Sequence, residues 1–523
     1  MPIKRTSQFD FLDLFIFEMA NNHTGDLEHG KRIVREFGAI AKEAGVRAAM
    51  KLQFRELDTF IHPAHKGSKT NKHIPRFEST RLSEEQFAEL VAEIKLHNLI
   101  SMCTPFDEPS VDMIERLGIE VIKIGSCSAT DRPLLEKISE IGKPVICSTA
   151  GLKISNEVLN EDEEDIDWIA TFFRKRGVHF AFMHCVGDYS PMPPEAAHLN
   201  QIAIMKNRYP DITIGWSTHE DPSDTVLVGL AYAKGARIFE KHVGIPNPEK
   251  EIVLNKYSAN PEQVEKWLAA YKNAVAACGN YEQRVIRETE KRDLDSLKRG
   301  VFARREIKKG EKLESKDTFF AIPVMSNQLR SGQWMDGLIV DCDYKENEAM
   351  NSFLVSKIPT HRKIIFRTIN MVIGMLNEAK IVIGHDFSVE LSHHDGLENF
   401  QDVGCTLITC FNREEYAKKI IVQLPGQLNP EHYHKKKDET FHILSGVLEV
   451  EIEGKPLTRR EGESLWIPRG TSHSFHTDTG CIFEEVSTKD WPDDSFYTDR
   501  SIAKKDRKDR KTFLQNWGRY QFD

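Results

Sequence analysis

Residues 212–242 read ITIGWSTHEDPSDTVLVGLAYAKGARIFEKH, which is two short apolar runs joined by a helical stretch. The same alternation recurs along the chain from Leu14 onward. Its apolar runs are Leu14–Glu18, Ala48–Phe54, Leu99–Thr104, Glu120–Gly125, Pro144–Ser148, His179–His184, Ile212–Trp216 and Ala236–Glu240. Eight strand–helix units of this kind predict a closed (β/α)8 barrel, the TIM barrel. The predicted fold class is therefore α/β.

Reactive side chains collect at or just beyond the C-terminal ends of these runs. A TIM-barrel enzyme has its active site at that end, where side chains from separate strands converge. The residues found there are Glu18, Lys51, Gln53, Thr104, Lys123, Ser126, Ser148, His184, Ser217, His219, Glu240 and His242. The sequence therefore predicts an enzyme with one converging pocket.

Composition and charge exclude several other classes of protein. The chain has 523 residues and a net charge of 71 − 80 = −9, which argues against nonspecific binding to nucleic acid or anionic membranes. No apolar run reaches the roughly 18 residues that span a bilayer. Acidic residues interrupt the apolar N-terminal stretch, and the nine cysteines never form a CxxC pair. We expect a reduced, cytoplasmic chain that acts on small molecules.

Three compositional regions follow one another, and we interpret them as three domains. Residues 1–290 carry the barrel pattern, and residues 291–356 contain short β-like runs such as VFARREI. Residues 357–523 open with a helical stretch and continue as strands separated by glycine and proline turns. That last pattern is typical of a small β-barrel or jelly roll.

The barrel pattern contains a candidate metal site. His219 and His242 close two consecutive strand-like runs, so they come from neighbouring strand ends. Two imidazoles suit Zn, Mn, Fe or Co and leave positions open for water and substrate. Glu240 lies two residues before His242 and therefore faces the same side of its strand. The alternative is that each histidine only satisfies a loop carbonyl.

Two lysines inside apolar strands predict an anion site. Lys51 and Gln53 lie two apart and share a face, and Lys123 sits within VIKIGS. A lysine in a strand interior needs an anionic partner. Hydroxyls at adjacent strand ends would complete a cradle for phosphate, or for phosphate and carboxylate: Thr104, Ser126 and Ser148. The alternative is a structural Lys–Glu ion pair.

The C-terminal region holds a second metal-ligand pattern. Gly426, His432, His434, Glu439 and Gly446 have the spacing of the first cupin motif. The second motif follows as Gly462, Pro468, Gly470 and His473, with Thr477 in place of its final Asn. This region, roughly 380–490, therefore resembles the cupin domains. Three imidazoles and one carboxylate suit Mn, Fe, Ni or Zn, and a metal-free cupin is the alternative.

The barrel resembles the sialic acid (N-acetylneuraminate) synthase family. Segments that carry this resemblance in order are FEMANNHTGDLEHGKRIVREFGAIAKEAG, MKLQF, CTPFDEPSVDMIERLG, IKIGS, VICSTAG, HCVGDYSPMPPEA, GWSTHE and FEKH. The resemblance implies a synthase that condenses phosphoenolpyruvate with an N-acylated, ManNAc-like aldose and water. The products would be a 2-keto-3-deoxy sugar acid and phosphate. Which aldose, and hence which nonulosonic acid, stays open.

The resemblance also implies roles for individual residues. Contacts to phosphoenolpyruvate would come from Lys51, Thr104, Lys123, Ser126, Ser148 and Ser217. Substrate and proton-transfer groups would be Glu18, Gln53 and Glu240, and either glutamate could activate the attacking water. The metal held by His219 and His242 would be Mn2+. The chain departs from many relatives at Ala20, Gly187, Thr218 and Glu220, which bears on the substrate more than on the reaction.

The middle segment resembles the antifreeze-like (SAF) domain of that family. This implies a homodimer in which the SAF domain is exchanged between two copies and reaches the sugar. The usual arginine motif is missing, and Gln328 or Arg330 are the candidate replacements. A connector without substrate contact is the alternative.

The role of the cupin stays open between a second enzyme and a binding or regulatory module. As an aldose isomerase or epimerase it would need an acid/base group beside its metal, for which Glu431, Glu439, Glu484 and Lys436 are candidates. The competing interpretation of the whole chain is a cupin-centred sugar isomerase or epimerase with the barrel as a binding scaffold.

Overall fold

The structure is a computed structural model. It describes residues 8–154, 165–190, 192–217, 219–280, 284–340, 342–352 and 360–518. The chain forms two compact units, Met1–Val285 and Ile286–Asp523. None of the described helices is long and apolar enough to cross a membrane.

The first unit is a closed barrel of eight parallel strands in chain order, which confirms the predicted (β/α)8 fold. The strands are β1 Leu14–Glu18, β2 Arg47–Phe54, β3 Ile100–Pro105, β4 Val121–Ile124, β5 Val145–Ser148, β6 Phe180–Cys185, β7 Ile214–Ser217 and β8 Ile238–His242. Its helices are α1 Leu27–Ala44, α2 Leu57–Phe60, α3 Ile74–Ser79, α4 Glu84–Leu96, α5 Glu108–Arg116, α6 Arg132–Glu140, α7 Ile166–Lys175, α8 Asn200–Arg208, α9 Val226–Lys234 and α10 Pro261–Cys278. Strand ends differ from the predicted runs by two residues at most.

Alternation along the strands places the polar residues inside the barrel. The barrel interior is closed by a small apolar cluster that includes Ile16, Ala49, Met102, Val121, Ile146 and Ile238. Successive strand residues point to opposite faces, so residues two positions further on share the interior. Those residues are Glu18, Lys51, Thr104, Lys123, Ser148 and Glu240. The apolar cluster therefore forms a floor, and the candidate site lies directly above it.

The second unit begins with α11 (Glu288–Ser296) and a small β-rich segment. Strands β9 (Gly300–Ala303) and β10 (Thr318–Ala321) pair antiparallel, and the segment has its own apolar core. Gln328 is buried in this segment, where its amide donates to the Val301 carbonyl and accepts from the Met325 N–H. Its polar atoms are thus used internally, which removes Gln328 as a replacement for the missing arginine.

A large antiparallel sheet makes up the rest of the second unit, as expected for a cupin. Its strands are β11 Ser388–Ser392, β12 Cys405–Asn412, β13 Ala417–Gln423, β14 Leu428–Tyr433, β15 Glu439–Ile452, β16 Lys455–Arg460, β17 Ser464–Ile467, β18 His473–His476, β19 Cys481–Ser487, β20 Phe496–Tyr497 and β21 Lys511–Gln515. Among the described residues, three α-helices accompany them: α12 Thr360–Glu378, α13 Arg500–Ala503 and α14 Arg507–Arg510. The apolar face of α12 packs into the core of this sheet.

The predicted domain boundaries remain predictions. The boundary at 290/291 falls inside α11, and the boundary at 356/357 lies in 353–359, outside the described residues.

Candidate functional site

Lys51 lies between two carboxylates above the barrel floor. Its Nζ contacts Glu18 Oε2 and donates to Glu240 Oε1 at 2.9 Å. Glu18 and Lys51 are register partners on β1 and β2, while Glu240 arrives from β8 on the other side of β1. All three side chains are buried. Neighbouring strands therefore force these groups into one contact network.

Lys123 extends this network across the barrel. Its Nζ donates to Ser148 Oγ at 2.5 Å and lies 3.5 Å from Glu240 Oε2. Ser217 Oγ donates to Glu240 Oε1 at 3.3 Å. We call Glu18, Lys51, Lys123 and Glu240 the charge quartet. It holds two buried cations and two buried anions, so it is electrically balanced without any ligand.

The pKa values of the quartet diverge. Burial opposes the charge on Lys51, but the two carboxylates outweigh it and hold the pKa of Lys51 above its usual value. Burial opposes the Glu240 carboxylate too, yet the two lysines lower the pKa of Glu240 to about 2. Burial raises the pKa of Glu18 despite Lys51, and it lowers the pKa of Lys123. Glu240 is therefore the fixed anion, whereas Glu18 accepts a proton more readily.

The imidazoles of His219 and His242 face each other beside the quartet. Their ring centroids are 5.2 Å apart, and the Tyr257 ring lies 5.3 Å from the first and 5.0 Å from the second. The Val186 carbonyl accepts from His219 Nδ1 at 2.9 Å, while His242 Nδ1 is buried without a partner among the described residues. Burial lowers the pKa of both histidines. Two neutral imidazoles with unused nitrogens fit a divalent metal.

Three further predicted residues lie at the mouth with polar groups available. Thr104 Oγ1 is buried and has no hydrogen-bond partner among the described residues. Ser126 Oγ accepts from the Ala150 N–H at 3.2 Å, which leaves its own proton free to be donated. Gln53 is the register partner of Thr104 and accepts a hydrogen bond from Arg55. The structure thus brings the predicted barrel residues to one end of the barrel. His184 is the exception, because it alternates with the interior residue Met183, packs on Trp216 and bonds to the Ala197 carbonyl.

The cupin ligand set also converges. His432, His434 and His473 place one ring nitrogen each within 4.8 Å of one another. Glu439 lies 3.3 Å from His434 Nε2 through one oxygen and 3.3 Å from His473 Nε2 through the other. Each histidine directs Nδ1 toward a backbone carbonyl, of Pro430, Asp494 and Thr471 respectively. A carbonyl only accepts, so Nδ1 carries the proton and Nε2 is free for a metal.

Two family models match the chain. The NeuB family matches residues 39–283, and a cupin domain matches residues 420–483. An uncharacterized protein of Methanocaldococcus jannaschii is 31% identical over 59% of this chain and 84% of its own length. The chain belongs to the NeuB family. It is a phosphoenolpyruvate-dependent condensing transferase that carries a C-terminal cupin domain.

Two other relatives show how far the likeness to NeuB-family proteins extends. The N,N'-diacetyllegionaminic acid synthase of Campylobacter jejuni is 25% identical over 64% of this chain and 98% of its own length. A solved structure from Chromobacterium violaceum, described as spore coat polysaccharide biosynthesis protein E, is 44% identical with a TM-score of 0.58. It covers 65% of this chain and 98% of its own. Each of the two covers about two thirds of this NeuB-family chain.

The NeuB-family barrel contains features that the sequence analysis missed. Tyr257 follows no strand and stands in no motif that we used, so only the fold shows it against both imidazoles. Glu220 pairs with Lys241 at 2.6 Å, both buried, so this departure is a structural ion pair. Thr218 lies outside the described residues.

Three of the four acid/base candidates in the cupin do not face the ligand set. Glu431 is exposed and bonded to Ser472 and Thr498. Glu484 pairs with Lys418, and Lys436 is exposed. Strand alternation explains the first two errors, because Glu431 and Glu484 each neighbour an inward residue and so point outward. Of the four, Glu439 alone lines the cavity.

Lys437 and Glu485 are buried charged groups that line the cavity instead, together with Lys419. Lys437 Nζ contacts Glu439 and lies 2.8 Å from Glu485 and 3.5 Å from Asp490. Together these carboxylates hold the pKa of Lys437 well above its usual value despite its burial. The cavity has about 580 Å³ of empty space, part of it open to solvent, and Tyr497 also lines it. It is a polar chamber beside the histidines.

Proposed function

We propose that the barrel is a nonulosonic acid synthase that condenses phosphoenolpyruvate with an N-acylated, ManNAc-like aldose and water. The observation that carries the proposal is the charge quartet beside an imidazole pair, all at the C-terminal end of one barrel. Two buried lysines match an anionic substrate, and two imidazoles match a metal that polarises a carbonyl. The Campylobacter jejuni relative, an N,N'-diacetyllegionaminic acid synthase, supports the product class.

In this proposal phosphoenolpyruvate binds above the apolar floor. Lys51 and Lys123 supply charge, and the hydroxyls of Thr104, Ser126, Ser148 and Ser217 supply hydrogen bonds to its phosphate and carboxylate. Such charge-assisted contacts are short and directional, so they fix the orientation of the substrate. Positioning and fixed dipoles are the main terms by which such a site accelerates a reaction.

His219 and His242 would hold the metal, which we propose to be Mn2+. When bound, the ion would supply Lewis-acid activation of the acceptor aldehyde. The neutral state of both imidazoles and the unused Nδ1 of His242 support this assignment. Tyr257 packs on both rings and limits their rotation.

Phosphoenolpyruvate, the aldose and water supply every atom of the products, so the reaction needs no further reactant. C3 of phosphoenolpyruvate forms a bond to the aldehyde carbon, and a proton goes to the aldehyde oxygen. Water adds to C2, after which the bond from C2 to the phosphate oxygen breaks and releases phosphate. Glu18 and Glu240 both lie beside Lys51, so either one is placed to orient the water or to move a proton.

The test is an assay of phosphate release with phosphoenolpyruvate, Mn2+ and a panel of aldoses. We expect release only when phosphoenolpyruvate and an N-acylated aldose are both present, with a keto acid of the summed mass as product. Release without an aldose, or condensation with aldose phosphates that lack an N-acyl group, would refute the proposal.

We propose a second function for the cupin, as a metal-dependent site that isomerises or epimerises a sugar on the way to the acceptor. The inward Nε2 atoms and the buried Lys437–Glu485 pair in a polar cavity support this. A His473→Ala variant should condense the finished aldose but fail on the precursor sugar. Equal use of every precursor by variant and wild type would make the cupin a binding or regulatory module.

The remaining expectations are proposals of assembly and location. The three-domain division and a cytoplasmic site of action are proposed from the composition of the chain, and a homodimer with exchanged SAF-like segments is proposed from the resemblance. Light scattering of the purified chain measures the mass, and a monomer at micromolar concentration would refute the dimer.

A further inference from the structure

Arg55 carries a charge at the barrel mouth that forms no ion pair with a carboxylate among the described residues. It follows the end of β2, and its guanidinium lies 3.6 Å from the ring centroid of Phe106 and 4.1 Å from that of Phe77. Its Nη2 donates to Gln53 Oε1 at 3.0 Å. Its Nε is buried and has no partner in the part of the chain that the structure describes.

This environment is unusual for a guanidinium. Removing a charge from water is costly unless an opposite charge or several hydrogen bonds replace the lost hydration. Cation–π contacts with the two aromatic rings offset part of that cost. A neutral amide is the only hydrogen-bond acceptor that Arg55 contacts among the described residues. The effect of burial is visible in the pKa of Arg55, which falls to about 10. An anion that arrives with a ligand would complete this environment.

Arg55 lies between two groups already assigned to substrate. Its Phe106 partner packs beside Gly125, where an added Cβ would lie 3.9 Å from the ring. Gly125 precedes Ser126, a proposed phosphoenolpyruvate contact, while Gln53 is one of the proposed substrate and proton-transfer groups. The guanidinium can only donate, so it fixes the Gln53 carbonyl oxygen toward itself and leaves the amide N–H groups free for a ligand.

The loop after β2 adds further positive charge at the same end of the barrel. Residues 61–76 contain four Lys or Arg residues, three histidines and no acidic residue. Lys66 pairs with Asp58, whereas Lys69, Lys72 and Arg76 form no ion pair among the described residues. A positively charged rim attracts anionic ligands and raises their local concentration.

We propose that Arg55, supported by the 61–76 loop, binds a negatively charged oxygen group, a phosphate ester or a carboxylate, at the end of the acceptor sugar away from its aldehyde. This inference rests on the proposed synthase function. Phosphoenolpyruvate already has Lys51 and Lys123 deeper in the barrel. The Arg55 guanidinium instead binds Gln53, whose side chain follows that of Lys51 toward the barrel mouth on the same face of β2.

The experiment compares three acceptors: an N-acylhexosamine, its 6-phosphate and the corresponding N-acylated uronate. The wild type should use at least one anionic acceptor about 10- to 150-fold better in kcat/KM than the neutral one, the gain expected from one charge-assisted bond. Arg55→Met should abolish that ratio through the KM of the acceptor, not through the KM of phosphoenolpyruvate. Arg47→Met is the matched control, because Arg47 begins β2 and also stacks on an aromatic ring, that of Phe9. It should keep the ratio.

Arg55→Lys keeps the charge but loses the planar fork, so it should retain part of the preference and guard against misfolding of Arg55→Met. Calorimetric binding of the 6-phosphate and the uronate, without phosphoenolpyruvate, gives a readout independent of turnover. Binding heat with the wild type and none with Arg55→Met supports the subsite even if no aldose is condensed. Failure of condensation with every aldose would refute the synthase proposal alone. A wild type without anionic preference, or an Arg55→Met defect confined to phosphoenolpyruvate, overturns the inference.

Discussion

Replacing Lys123 by Met separates the structural role of the charge quartet from its proposed role in binding. Lys123 is 2% exposed, bonds to Ser148 and lies 3.5 Å from Glu240. Lys51 is closer to both carboxylates and remains in place in this variant. The substitution therefore removes one buried positive charge with little change in side-chain length.

Two effects of different size should follow. The quartet changes from balanced to one excess buried anion, and breaking a buried ion pair in this way costs about 3–5 kcal/mol of folding stability. Phosphoenolpyruvate loses one charge-assisted contact, worth about 1.5–3 kcal/mol, which weakens its binding about 10- to 150-fold. The double variant Lys123→Met/Glu240→Gln restores the balance of one cation and one anion. Most of the stability should return in the double variant, whereas affinity for phosphoenolpyruvate should not.

Urea unfolding measures the first effect and calorimetric titration with phosphoenolpyruvate measures the second. Lys437→Met is the matched control, because it removes an equally buried lysine from the cupin. It should destabilise its own unit and leave phosphoenolpyruvate affinity within about twofold. If the double variant recovers affinity together with stability, or if Lys123→Met binds like the wild type, Lys123 is a structural lysine.

Three further outcomes are expected. We expect about two divalent ions per chain, and His219→Ala or His473→Ala should each lose one by elemental analysis, because the first removes one of two barrel ligands and the second one of four cupin ligands. Only His219→Ala should stop condensation of the finished aldose. Burial lowers the pKa of His23 from 6.5 to about 4, so the folded state keeps it neutral. Between pH 6.5 and 4 the unfolded state therefore binds this proton more readily than the folded state, and His23 lowers the free energy of unfolding by about 3 kcal/mol over that range. In urea unfolding, His23→Asn should remove this decrease. A chain ending at Ser352 should keep a folded barrel and stay dispersed in light scattering. One ending at Glu378 should aggregate because α12 then exposes its apolar face.

The barrel was predictable because its signal is periodic. Eight apolar runs with helical stretches between them leave few other folds, and alternation decides which side chains face inward. The same rule placed Lys51 and Gln53 on one face before the structure did. Periodicity gives no distances between residues on different strands of the barrel. The contact of Lys51 with both Glu18 and Glu240 depends on closure of β8 against β1, a pairing of residues far apart in sequence.

The cupin shows where motif spacing succeeds and where it stops. The spacing located His432, His434 and His473, whose convergence the structure shows. The same spacing gave no information on the neighbours of the motif, so proximity in sequence was used for the acid/base group. That reasoning selected Lys436, although one residue further on Lys437 turns inward. An error of one residue along an extended strand assigns the side chain to the opposite face of the sheet.

The balance of the charge quartet explains why the barrel needs cations beyond its two central lysines. Glu18 and Glu240 already neutralise Lys51 and Lys123 in the folded chain, so those lysines do not by themselves offer net positive charge to an anionic substrate. Binding such a substrate requires compensating charge from elsewhere, either protonation of a carboxylate such as Glu18 or a cation held by the imidazole pair. A second anionic group on the acceptor would find no spare charge in the quartet. Arg55 is half-buried against aromatic rings and forms no ion pair with a carboxylate among the described residues, so its charge is still available at the mouth.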